Sequence, residues 1–130
     1  GGFVAGTKAG YAFNTFPLMN GRFVPEGIFG MAPWWVNLFE NVATVQFNHR
    51  LVAYLLLLAI LVFWWRTRRF ELPSRAQWLL HGLLAVLVVQ VGLGIATLIY
   101  IVPVPLGAAH QAGALLLFTF ALAARHALRA

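Results

Sequence analysis

The chain contains no cysteine, and its only acidic residues are Glu26, Glu40 and Glu71. The first absence excludes disulfides, thiolate metal ligands and redox-active thiols. The second leaves general acid–base catalysis poorly supplied. Glu71 sits in an arginine-rich connection, Glu26 and Glu40 sit in a loop, and no carboxylate falls within an apolar span. Charged residues of both signs make up 9% of the chain, too few to cover a water-facing surface. There is also no Ser-His-Asp set, phosphate-cradling glycine loop or metal-binding helix motif.

What is abundant is apolar. Hydrophobic residues make up 62% of the chain and its mean hydropathy is +0.82, whereas soluble domains run at about 45–50% apolar. A length of 130 residues suits a single domain, so the expectation is one all-α integral membrane domain. The net charge of +6 is not spread as a nucleic-acid-binding face would require. Arg66, Arg68, Arg69 and Arg75 share one short connection and Arg125 and Arg129 lie at the C-terminus, as at the cytoplasmic ends of membrane helices. Nucleic acid is therefore excluded as a partner, and membrane lipid is expected.

Hydropathy and helix breakers divide the chain. Residues 1–7 read as the outer end of a partial helix. Since the chain opens without an initiator methionine, it is expected to be the C-terminal part of a longer protein. Residues 8–43 form an outer loop rich in Gly, Pro and Asn; Phe29, Trp34, Trp35 and Phe39 suit either the membrane interface or a plain ordered loop. Transmembrane helices are expected at about 42–65, 77–102 and 106–124. The first reaches the ~20 residues of a span only by including Gln46, Asn48, His49 and Arg50. Pro103 and Pro105 force the reversal before the last. Four arginines and one glutamate between residues 66 and 75 put that connection in the cytoplasm, and hence the aromatic loop and the proline turn outside.

Threaded this way, His49 and His110 both enter from the outer side and lie at one depth. An imidazole in a lipid-embedded bundle is costly, and two at one depth suit the axial positions of one heme iron. Zinc would ask for more ligands. The competing reading is that both are hydrogen-bonding core residues. His81 enters from the cytoplasmic side, and His126 lies sixteen residues beyond His110, about 24 Å along a helix. Both are read as interfacial or structural. Gly107, Ala108, Ala109, Ala112 and Gly113 leave room around His110. Gly92 and Gly94 on the middle helix either admit a flat macrocycle or serve helix packing. Arg50, at membrane depth, requires an anion: heme propionates, Glu40 or Glu26.

Four stretches, in order and covering nearly the whole chain, resemble the C-terminal half of heme A synthase of the proteobacterial and mitochondrial type. They are Gly2-Phe3-Val4-Ala5-Gly6 with Asn14-Thr15-Phe16-Pro17-Leu18-Met19; Asn37 to Arg50, ending Gln46-Phe47-Asn48-His49-Arg50; Gln90 to Thr97; and Ala109-His110-Gln111-Ala112-Gly113. The resemblance implies an eight-helix bundle built as two four-helix halves, each with an outer histidine pair. It implies oxidation of the C8 methyl of heme O to the formyl group of heme A, for cytochrome oxidase assembly. On this basis His49 and His110 hold a heme b that transfers electrons, while the missing N-terminal half holds heme O. In that half the family carries a catalytic glutamate three residues before the first histidine. Here the position is Gln46, and an amide cannot serve as general base. The residue expectations are His49 and His110 as iron ligands, Arg50 as a further cofactor contact, and no catalytic residue. Candidate partners are heme O through the missing half, heme O synthase and a second copy. The location implied is the bacterial inner membrane, with the histidine pair outside. The alternative function is a membrane b-type cytochrome that only relays electrons.

Overall fold

The computed structural model describes residues 1–129 and is all-helical. It contains a short α1 (Gly2–Gly6) and three long helices, α2 (Val42–Thr67), α3 (Ser74–Ile99) and α4 (Val104–Ala127). Two 3-10 turns, Ala9–Tyr11 and Trp34–Leu38, lie in the long loop before α2. Among the described residues the sole extended pairing is an isolated bridge between Met19 and Arg22.

The long helices have 26, 26 and 24 residues, or about 36–39 Å at 1.5 Å per residue. That exceeds the ~30 Å hydrocarbon core, so their ends reach the headgroup region. All three are long and apolar enough to cross a membrane. The chain is an integral membrane protein.

Helix limits follow from local chemistry. α2 starts where the Asn41 side-chain oxygen accepts from the Thr44 N–H at 3.0 Å, a cap that contributes ~1 kcal/mol. α3 starts at Ser74, directly after Pro73, which is tolerated just ahead of a helix but not inside one. It stops at Ile99 rather than near residue 102, because Ile101 and Val102 take left-handed φ values of 60° and 54°. That conformation is unusual for β-branched residues and turns the chain within four residues. α4 then begins at Val104 rather than near 106, since Pro105 fits the first turn, whose N–H groups are unpaired anyway.

The main helix interface is α3 against α4, around the buried Leu83, Leu87 and Leu117. Lipid is as apolar as leucine, so close approach through small residues must hold such helices together. At Gly82 an added Cβ would collide with the Phe120 ring of α4. α2 leans on this pair through Leu57 and Ile60, while Leu51, Val52, Leu55 and Leu58 face outward.

Candidate metal centre

His49 lies seven residues past the start of α2 and His110 six past the start of α4. The two helices run in the same direction because α3 returns the chain between them. The imidazoles meet with ring centroids 6.4 Å apart and planes at 84°. Two imidazoles sharing one metal, each with a metal–nitrogen bond of about 2.0 Å and ~1.1 Å from nitrogen to centroid, would have centroids at most roughly 6.2 Å apart. The structure brings together the two histidines that the sequence pairs. Among the described residues no three His, Cys, Asp or Glu side chains converge as a metal cluster.

Two α3 residues seat His110. An added Cβ on Gly94 would lie 2.9 Å from His110 Cε1, so glycine there is the space the ring occupies. Gln90 Nε2 donates to the His110 carbonyl at 3.0 Å and fixes the α4 backbone at the ligand. The side chain of Gln90 crosses close to Gly113, which has no Cβ to obstruct it. Gly92 and Gly107 meet nothing within 4 Å of an added Cβ. His110 Nδ1 and Gln90 Oε1 are both buried without a hydrogen-bond partner.

Arg50 follows His49, and consecutive helix residues point about 100° apart. His49 faces α4, whereas Arg50 shares a face with Gln46 one turn earlier. The partners of Arg50 differ from those expected. Its Nη1 donates to the Thr15 and Pro17 carbonyls at 2.9 and 3.3 Å, and its Nη2 to the Phe13 carbonyl and Gln46 Oε1 at 2.7 and 3.1 Å. Neither Glu40 nor Glu26 reaches it. Glu26 pairs with Arg22 at 2.7 Å on the surface, and Glu40 is exposed. Carbonyl dipoles take the place of an anion, because several oxygens aimed at one guanidinium replace the water it loses. Nε of Arg50 stays buried and unpartnered.

Gln46 completes this clamp. Its Nε2 donates to the carbonyl of the fully buried Ala9 at 2.6 Å. Asn14 Nδ2 bridges the Gly10 and Leu98 carbonyls at 2.7 and 2.9 Å. At Gly10 an added Cβ would meet Val102 at 2.8 Å. Residues 9–17 are thus stitched to α2 on one side and to the end of α3 on the other, closing the end of the bundle beside the histidines.

Sequence reasoning missed three supports: Gln90, Asn14 and Asn37. Asn37 is fully buried, accepts from the Met31 N–H, and donates to the Met31 and Trp34 carbonyls. The available signal was polarity in unlikely places: an amide deep in an apolar span, and asparagines four apart at Asn37 and Asn41. His81 lies at the other end of the bundle, edge-on to Trp64, with its Nδ1–H donating to the Gln77 carbonyl at 2.7 Å.

The profile of the COX15-CtaA family, described as cytochrome oxidase assembly protein, matches residues 1–122. The chain belongs to this family. It is 53% identical over 129 residues to the heme A synthase of Nitrosospira multiformis, covering 99% of the chain and 36% of that protein. Similarity to the Arabidopsis thaliana protein named heme A synthase COX15 is 50% over 129 residues, 99% of the chain and 28% of that protein. For the human heme A synthase COX15 it is 46% over 122 residues, covering 94% and 30%. The chain thus spans about a third of the length of these relatives. No solved structure matches it.

Proposed function

We propose that this chain is the heme-b-binding, C-terminal half of a heme A synthase, which oxidises the C8 methyl of heme O to a formyl group. The observation that carries the proposal is the meeting of His49 and His110, one from each of two parallel spans, at a centroid spacing suited to bis-imidazole iron. Family membership and about 50% identity to proteins named heme A synthase supply the reaction.

The residues fit the group. Two neutral imidazoles satisfy a low-spin heme, whereas a zinc site would need further ligands. The Gly94 cradle lets His110 sit against α3. His110 Nδ1 lacks a partner, and the ring would keep a donor on that side if Nε2 held the iron. Nε of Arg50 is the one guanidinium donor left for a propionate oxygen. Bound there, the heme would supply one-electron transfer between ferric and ferrous iron.

The chain's own residues perform orienting and sealing roles. Gln90 fixes the backbone of one ligand, and Arg50, Gln46 and Asn14 hold residues 9–17 across the outer end. Gln46 is spent on the Ala9 carbonyl and Arg50, so nothing near the pair is a proton acceptor of carboxylate strength. This half is assigned electron transfer, and heme O is assigned to the part of the relatives that the chain does not span. The outer side of the inner membrane is the proposed location of the pair, on the arginine asymmetry.

The test is a reduced-minus-oxidised spectrum with pyridine extraction on the purified protein and on His49→Ala and His110→Ala. A low-spin b-type spectrum lost in both variants is expected. Retention of that spectrum in either variant would remove that histidine as an axial ligand.

A further inference from the structure

The two histidines of the pair are held in unequal ways. His110 belongs to a helical hairpin whose arms meet at matched positions: Gly82 with Phe120, Gln90 with Gly113 and Gly94 with His110. The buried Leu83, Leu87 and Leu117 fill the interface between the first two. As α3 advances its partner recedes along α4, so these contacts form one antiparallel seam with His110 as its last knob. The His110 ring fills the notch at Gly94, and Gln90 Nε2 holds the carbonyl of the same residue at 3.0 Å. Ring and backbone of His110 are therefore both fixed from α3. The Gln90 amide is itself confined, since its Oε1 lies where a Cβ on residue 113 would overlap it.

His49 has no such seat. Among the described residues, the side-chain hydrogen bonds that leave the first nine residues of α2 for other segments run to the loop. Thr44 accepts from the Phe29 N–H, Gln46 donates to the Ala9 carbonyl, and Arg50 donates to the carbonyls of Phe13, Thr15 and Pro17. None reaches α3 or α4. α2 meets the leucine cluster at Leu57 and Ile60, two to three turns beyond His49. Chain connectivity adds to the difference. Gln90 and Gly113, the limits of the His110 seat, are 23 residues apart within one hairpin, whereas His49 and His110 are 61 apart. The shorter loop closes at lower entropic cost, so the His110 seat is complete without α2. A ligand already ordered gives up less freedom on binding than one carried in by a separate helix.

We propose that the two axial ligands are inequivalent: His110 is the anchoring ligand, with Gln90 as its positioning residue, and His49 is the closing one. This rests on the bis-histidine reading above. It adds that His110 alone suffices to retain the heme, and that His49 completes the coordination from the opposite helix.

The experiment measures heme retained per protein, and the reduced spectrum with and without carbon monoxide or imidazole, for the purified parent and its variants. His49→Ala is expected to keep heme within about threefold of the parent. Its spectrum should be five-coordinate, bind carbon monoxide and return to low spin with imidazole. His110→Ala is expected to lower retention at least about tenfold, the smaller loss seen when even the outer support of a metal ligand is removed. Gln90→Leu should lower retention a further ~tenfold in the His49→Ala protein but less than about threefold in the parent, where both ligands hold. That comparison keeps His110 in place, so it reads the seat even if His110→Ala fails to fold. Equal retention by the two histidine variants, or better retention by His110→Ala, would overturn the inequivalence and leave the pair as ligands. Loss of heme from His49→Ala, or no effect of Gln90→Leu in that background, would overturn it too. A parent without low-spin heme would instead defeat the bis-histidine reading, and this proposal with it.

Discussion

Replacing Gly94 with alanine should damage the metal site without unfolding the protein. The added methyl would lie 2.9 Å from His110 Cε1 and 3.5 Å from both ring nitrogens. Ordinary contact needs about 3.4 Å or more, so the ring must retreat by roughly half an ångström. In the fold alone this is inexpensive. The ring is the end of a side chain with two rotatable bonds, and alanine gains about 0.5–1 kcal/mol over glycine in a helix. Overpacking costs ~1–3 kcal/mol, so the net change in stability is expected to stay within about 2 kcal/mol. The ligand is less forgiving, since a metal–nitrogen bond tolerates only ~0.2 Å. Gly92→Ala is the matched control: same helix, same substitution, nothing within 4 Å of the new atom. The assay is heme content and the reduced spectrum of both variants, beside thermal unfolding. Gly94→Ala should lose heme or low-spin character while Gly92→Ala keeps both. If Gly94→Ala retained a full low-spin spectrum, His110 would not be the ligand held against α3.

Two further outcomes follow from the long loop before α2. Arg50→Ala removes three carbonyl partners and the Gln46 contact; for a half-buried group this is expected to cost about 2–4 kcal/mol and to expose residues 13–20 to limited proteolysis, even in heme-free protein. Unchanged proteolysis without heme would show that Arg50 does not hold the loop. Asn37→Ala orphans the Met31 N–H and the Met31 and Trp34 carbonyls. It should lower the unfolding midpoint by an amount equivalent to ~2–4 kcal/mol, and a shift under about 0.5 kcal/mol would refute the role of that buried amide.

Much of the architecture was legible because a bilayer reduces folding to one dimension. Apolar run length sets the spans, each turn reverses their direction, and relative depth then follows by counting residues. That is how His49 and His110 could be paired across sixty intervening positions. Element ends were less legible. The left-handed Ile101 and Val102 shorten α3, and no composition signal marks two β-branched residues for that conformation.

Hydrogen-bond partnership was not legible. The rule that a buried arginine needs an anion is a statement about charge, and it led to Glu40, Glu26 or propionates. Among the protein's own groups carbonyls meet Arg50 in place of the two glutamates, from residues 33 to 37 positions away, because only the path of the folded loop decides which oxygens converge. Gly94 and Gly92 look alike in the sequence, two residues apart in one span. One is filled by the His110 ring and the other faces open space, since helix rotation against a neighbour is a tertiary quantity. Trp64 and His81 likewise come from different helices, and their contact exists only once α2 leans on α3. The sequence by itself determined solvent, span and depth, because each is a sum over nearby residues. The tertiary structure decided which donor meets which acceptor, because hydrogen bonding depends on distance and angle between segments far apart in the chain.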